Sequence, residues 1–376
     1  MKTFGKPAQG ERLARMQASP LWSGNGFRNI HPIQTGLRDS SGPRPSLGDF
    51  LCGGGRRVPT AALPAVDPRE AWSRRPDSGL RATWLGHSTV LIEIDGLRVL
   101  TDPVWGPRAS PSRLIGPKRF QPVPLPLRAL ADVDVVLVSH DHYDHLDYPT
   151  IVALAQRGLP FVTSLGVGAH LEAFGVAPHL ITELDWWQSH TLPGSGVSIT
   201  AAPAQHFSGR SLKDRNATLW SSLVIRGERH AVFFSGDTGL TTEYDTIRQR
   251  LGPFDLVMLE VGAHHPSWGD IHLGPVNALQ AHRLLGGGAL LPVHWGTFSL
   301  ALHDWDEPVE TLLARAGPAD VALLLPRLGQ PVEPVRAGEY ITPWWREQSA
   351  REKGQPPTPA TELPAKLPKA VAWPLD

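Results

Sequence analysis

The sequence predicts an α/β sandwich. Three observations carry that expectation. Short apolar runs of strand type alternate with helical stretches along residues 81–316, turn residues punctuate them, and the chain is long enough to bury a sizeable core. Arg81–Ile94 and Leu97–Thr101 read as a hairpin around Asp95-Gly96, because Asp-Gly suits a tight two-residue turn. Val133–Ser139 (VDVVLVS) is a buried-strand run. Tyr148–Arg157 reads as a helix, with Pro149 near its start and Gly158 just past its end. Further strands are expected at Phe161–Thr163, Val197–Ala202, Ser222–Ile225, Ala231–Phe234, Leu256–Leu259 and Leu290–Val293, and further helices at Pro275–Leu285 and Glu307–Ala316.

Composition bounds the rest. Of 376 residues, 41% are hydrophobic and 19% charged, which fits a globular chain. Lys plus Arg equals Asp plus Glu at 36 each, so no basic surface for nucleic acid is expected. One cysteine, Cys52, excludes an intrachain disulfide framework and suits a reducing compartment. The N-terminal residues lack an apolar signal core, and no run of ~18 apolar residues occurs. The expected location is the cytoplasm, with peripheral contact at the inner face of the membrane allowed and a homodimer compatible. Residues 1–80 read as a Gly/Pro/Arg-rich arm packed on the core, 81–345 as the folded domain, and 346–376 as a Pro-rich disordered tail. Thirteen tryptophans stand against four tyrosines, and most are expected in packing roles.

The chemistry concentrates in Ser139–Asp147 (SHDHYDHLD), between a strand and a helix, where open α/β sheets place their sites. In a near-extended segment His140 and His142 point the same way and grip one ion. Asp144 and His145, past a bend, serve a second. Three more ligand candidates follow predicted strands: His206, Asp237 and His294. Imidazole nitrogen and carboxylate oxygen suit zinc, and one aspartate between two ions ~3.5–4 Å apart bridges them. A lone histidine is usually an ordinary polar residue; this ordered set is not.

HxHxDH followed by a single His, an Asp in GDTG and a final His resembles the metallo-β-lactamase superfamily, over about Arg81 to Pro308. The resemblance implies a four-layer αββα sandwich and two Zn²⁺ ions per chain. One ion would take His140, His142, His206 and Asp237, and the other Asp144, His145, Asp237 and His294. Within that superfamily TWLGHSTVLIE, LTDPVWG, PAQHFSGR, FFSGDTG, HWGTFSLA, the Trp186-Trp187 pair and SPLWSGNGFRNIHP look most like the N-acylphosphatidylethanolamine-hydrolysing phospholipase D group and its bacterial relatives. That likeness implies a phosphodiesterase that releases N-acylethanolamine and phosphatidic acid by attack of a bridging hydroxide, oriented by Asp144, with Tyr143 and His272 contacting the substrate headgroup. GAHHPSWGD stands where the animal enzymes carry a different polar loop.

Around this set, Asp102 in LTDP is expected to orient a metal-bound histidine, and His87 in LGHST to line the floor of the site. Asp147 is read as a helix cap, and Ser235 and Thr238 as fixing the GDTG turn. His264 and His265 share the same end of the fold, and His303 is read as rim. The alternative function is a lactonase or related ester hydrolase, since LGHSTVLI also occurs in ascorbate-phosphate lactonase-like members. A β-lactamase is disfavoured, because the commonest zinc type has Cys where Asp237 stands. The interval between Asp237 and His294 is too short for the inserted domain of the RNA-end-processing branch. A non-enzymatic binding protein conflicts with a complete ligand set.

Overall fold

A computed structural model describes residues 2–33, 56–265 and 270–354. Cys52, the middle of the arm and the tail from 355 onward lie outside these residues. Two short strands, β1 (Trp22–Ser23) and β2 (Gly26–Phe27), pair in the arm. The first large sheet then contains β3 (Leu80–Gly86), β4 (Thr89–Ile94), β5 (Leu97–Thr101), β6 (Val135–Val138), β7 (Phe161–Ser164) and β8 (Ile181–Leu184). The second contains β9 (Ser189–Thr191), β10 (Ser198–Ala202), β11 (Ser222–Arg226), β12 (Ala231–Phe234), β13 (Leu256–Glu260) and β14 (Ala289–Val293). A last strand, β15 (Pro331–Val332), returns to the edge of the first sheet, giving the order β15-β3-β4-β5-β6-β7-β8 beside β14-β13-β12-β11-β10-β9.

Side-chain alternation produces the layers. Along β6, Val135 and Leu137 face the second sheet, whereas Val136 and Val138 face the helices Tyr148–Ala155 and Val167–Ala173. Along β4, Val90, Ile92 and Ile94 point inward and Leu91 outward. Both faces are apolar, so the sheet must be covered twice. Helices Glu243–Leu251, Gly274–Leu284 and Glu307–Ala316 cover the far face of the second sheet through Ile247, Leu279 and Leu312. The order is helix, sheet, sheet, helix, the αββα sandwich that the sequence predicts.

Most predicted elements fall within two residues of their expected ends. Arg81–Ile94 is the main refinement: it is two antiparallel strands folded at His87-Ser88, so the segment crosses the sheet twice. The Asp95-Gly96 turn follows, with both residues at positive φ and Ile94 opposite Leu97. Residues 346–354 depart from the expected tail. Arg346–Glu352 is a helix, and its Ser349 and Ala350 are buried. The polar composition misleads there because Trp344 and Trp345 nail the segment down. Trp344 packs tilted and Trp345 edge-on against Trp295, which stacks on Trp84, and each aromatic pair contributes about 0.5–1.5 kcal/mol beyond its buried area. Arg346 adds a two-pronged pair with Glu310. Among the described residues no helix is long and apolar enough to cross a membrane.

The arm also packs on the core. Met16 and Phe27 are buried with Trp186, Leu219 and Trp220, and Arg12 pairs with Glu183 at 2.6 Å. The Trp186-Trp187 pair therefore seats the arm, with the Trp186 indole N–H donating to Trp220 O.

Candidate metal centre

Strands β5, β6, β7 and β8 run parallel, as do β12, β13 and β14, so their C-terminal ends meet along one edge. Asp102 follows β5, Ser139–His145 follows β6, Asp237 follows β12, Glu260 ends β13 and His294 follows β14. Among the described residues only eight non-glycine positions have positive φ, and three of them are His87, Asp102 and His294. Backbone held in that region is strained by roughly 1–3 kcal/mol per residue, which the surrounding core must offset. Gly236 (φ 55°) belongs to the same edge: a Cβ there would stand 2.8 Å from that of Ser139, so GDTG needs its glycine to bring Asp237 close.

All seven predicted ligands converge, in two groups. In the first, His140 Nε2 lies 2.9 Å and His206 Nε2 3.2 Å from His142 Nδ1. Asp237 Oδ2 stands 3.8 Å from His140 Nε2 and 3.7 Å from His206 Nε2. In the second, Asp144 Oδ2 is 3.6 Å from His145 Nε2 and 3.4 Å from His294 Nε2. Asp237 Oδ1 is 3.1 Å from both of those nitrogens. The two oxygens of Asp237 thus face different groups.

The outer nitrogens fix which atoms face inward. His145 Nδ1 donates to Asp102 Oδ2 at 2.7 Å, His206 Nδ1 to Ile271 O at 2.8 Å, and His140 Nδ1 to Ser139 Oγ at 2.9 Å. Ser139 Oγ in turn donates to Asp102 at 2.6 Å. Each inner Nε2 is consequently a bare acceptor. His145 Nε2, Asp237 Oδ1 and both ring nitrogens of His294 are buried with no hydrogen-bond partner. Orphaned buried polar atoms are costly, and inward-facing acceptors from His145, Asp237 and the unprotonated nitrogen of His294 fit a cation. The electrostatics agree. Burial opposes charge on His145, yet Asp237, Asp144 and Asp102 pull its pKa well above the ordinary value, so the carboxylates call for a positive charge at this point that a metal ion would supply in place of the proton. Burial likewise favours neutral Asp237, but His145 and His294 hold it ionised. Burial, reinforced by the neighbouring histidines, outweighs the pull of Asp237 on His206 and His140 and holds both well below the ordinary value, neutral and ready to ligate.

His87, expected as floor, stands within the second group, its Nε2 3.0 Å from Asp144 Oδ2 and its ring 3.9 Å from that of His294. Burial, reinforced by His294, lowers its pKa to about 3. Asp102 stands behind His145, where an orienting carboxylate belongs. Tyr143 donates its hydroxyl to Arg210 O at 2.7 Å, and its ring lines a cavity of about 380 Å³ with Trp105 and Tyr148, a cavity that none of the seven ligands lines. His272 lies between the two groups, 5.1 Å from His206 and 5.4 Å from His294 by ring centres. His264 and His265 line a cavity beside it. His303 is a brace, accepting from Ala263 N and donating to Asp304 O. Asp147 caps its helix by accepting from Thr150 N, and Thr238 accepts from Gln205 N in the GDTG turn.

Sequence reasoning missed three residues. Glu260, fully buried, accepts from His272 Nδ1 at 2.7 Å and from the backbone N–H groups of Thr238 and Leu273. Its signal was available: an acid closing an apolar strand at the edge that also carries Asp237 and His294. Arg210 donates to Asp141 O and Leu146 O on either side of the histidine loop and lies over Tyr143. Asn29 holds the backbone of His206; it lies in the family-like segment SPLWSGNGFRNIHP, but nothing there marks His206 as its partner.

Residues 97–295 match the family described as Beta-lactamase superfamily domain. Over 334 residues the chain is 45% identical to an uncharacterized protein of Mycobacterium tuberculosis, spanning 88% of each. It is 36% identical over 269 residues to N-acyl-phosphatidylethanolamine-hydrolyzing phospholipase D 1 of Caenorhabditis elegans, covering 68% of this chain and 76% of the worm protein. A solved metallo hydrolase from the hyperthermophilic archaeon Ignicoccus hospitalis aligns with a TM-score of 0.52 at 21% identity, over 67% of this chain and 97% of its own. That last likeness speaks for the fold.

Proposed function

The chain belongs to the metallo-β-lactamase superfamily and is a metal-dependent hydrolase; on that premise we propose that it is a binuclear zinc phosphodiesterase acting on N-acylphosphatidylethanolamine-type phospholipids. The observation that carries the binuclear reading is Asp237, whose two oxygens face two separate groups of histidines. His140, His142 and His206 would hold one ion, Asp144, His145 and His294 the other, and Asp237 both. When bound, such a pair supplies Lewis acidity toward a phosphoryl oxygen and brings the pKa of water toward neutrality.

The chain's own residues supply the rest. Asp102 fixes the ring of His145 and the tautomer that leaves its Nε2 bare. Glu260 does the same for His272, which stands between the groups at a distance suited to an anionic headgroup. Tyr143 offers its ring to the largely apolar cavity bounded by Trp105 and Leu127, a wall suited to a glycerol backbone or the start of an acyl chain. The Caenorhabditis elegans relative, similar over two thirds of this chain, supports the substrate class. Lipid presented at a membrane surface would reach the site by peripheral contact.

Three substrates test the reading: N-acylphosphatidylethanolamine in mixed micelles, a bis-aryl phosphodiester and a lactone, each with and without chelator. The expected result is chelator-sensitive release of N-acylethanolamine. Ready opening of lactones with phospholipid left intact would replace the proposal with the ester-hydrolase reading.

A further inference from the structure

A ligand is held only as firmly as the backbone that carries it, and His206 lies four residues past the end of β10 in a segment without regular structure. Its support comes from 177 residues away. Asn29 Nδ2 donates to His206 O at 2.8 Å, and His206 N donates to Asn29 Oδ1 at 3.0 Å. One side-chain amide thereby closes both backbone groups of the ligand, as a neighbouring strand would. Asparagine suits this task because its donor and acceptor lie in one plane at the reach of a peptide group. Trp220 Nε1 donates to the same Oδ1 at 3.1 Å and fixes the amide's orientation.

The segment that carries Asn29 is itself anchored. Phe27 is buried, and its N–H donates to Asn216 O at 2.8 Å. Upstream, Arg12 pairs with Glu183, and Arg15 donates to Glu183 O at 2.6 Å. The same arm takes a second hold: Arg210 donates to Thr3 O at 2.8 Å while also bonding Leu146 O at 3.0 Å behind the histidine loop. Among the described residues, no hydrogen bond from residues 2–33 reaches His87, Asp144, His145 or His294 directly. Among the ligands, the arm's direct hydrogen bonds are to His206.

We infer that Asn29 is a positioning residue for metal binding, through which the N-terminal arm sets the affinity of the half formed by His140, His142, His206 and Asp237. This rests on the binuclear reading and extends it to a segment outside the matched domain. Loss of an orienting group behind a metal ligand costs roughly 10–100-fold in affinity.

The test is zinc titration of the metal-depleted full chain as wild type, Asn29→Ala and Asn29→Asp, with ions counted at equilibrium and folding followed by circular dichroism. Wild type should bind two ions. Asn29→Ala should bind one with wild-type affinity and the second roughly 10–100-fold more weakly. Asn29→Asp keeps the acceptor for His206 N–H and Trp220 but sets a carboxylate against His206 O. It should show the same ordering, and it decides the matter if the alanine variant does not fold. Two ions bound as tightly as in wild type by folded variants, or both weakened equally, would overturn the inference alone. A wild type that binds a single ion would overturn the binuclear reading and the inference together.

Discussion

His145 and His206 each turn a bare Nε2 toward Asp237, but what stands behind them differs in kind. Behind His145 is the carboxylate of Asp102, fully buried and itself held by Ser139 N and Ser139 Oγ. Behind His206 is a neutral carbonyl, Ile271 O, with Asn29 gripping the backbone from the arm. His294 lies on the first side of this division, its neighbour Trp295 stacked on Trp84 and packed against Trp344. One half is therefore fixed by buried charge and packing that come with the sandwich itself. In the other, His206 is fixed by neutral hydrogen bonds with Ile271 and the arm, and only His140 reaches the same buried carboxylate, through Ser139. A carboxylate makes the imidazole it holds a stronger ligand, whereas a carbonyl mainly aims it. The two halves should thus respond differently to the removal of their supports.

The largest difference is expected from Asp102→Ala. Zinc affinity at the half containing His145 should fall roughly 10–100-fold, while the half containing His206 keeps its own, as read by stepwise titration. Equal loss at both would mean that Ser139, which contacts both Asp102 and His140, couples the halves and erases the comparison. A smaller effect is expected from Glu260→Gln, which keeps an oxygen for Thr238 N and Leu273 N but removes the charge facing His272. Turnover should fall by roughly 10-fold, the value of one charge-assisted hydrogen bond. Two bound ions should persist, because Glu260 lies behind His272 and 3.8 Å from His294. Loss of an ion from this variant would move Glu260 into the group of direct supports.

What the sequence discloses follows the same division. The residues that touch an ion must be His or Asp, and they sit at the ends of apolar runs, so His140, His142, Asp144, His145, His206, Asp237 and His294 could be read from type and place. Asp102 was legible for the same reason, being the residue that follows β5. Supports are less constrained in type. An amide at Asn29 or a carbonyl at Ile271 carries no mark of its partner, and the sequence separation of 177 between Asn29 and His206 hides the pairing until the chain is folded. Among the elements, the buried strands announced themselves by β-branched and aliphatic runs. Helix Glu243–Leu251 (EYDTIRQRL) did not, because only Tyr244 and Ile247 in it are buried. Helix Arg346–Glu352 was concealed by a polar sequence whose anchor, Trp344-Trp345, precedes it.

The central claim is that Asp237 joins two half-sites into one centre, and counting ions tests it most directly. Elemental analysis of zinc-supplemented, desalted protein should return two ions per chain for wild type. For Asp237→Ala, folded by circular dichroism, it should return fewer than one, because both halves lose their shared ligand together. One ion in the wild type, or two retained firmly by the variant, would contradict the account.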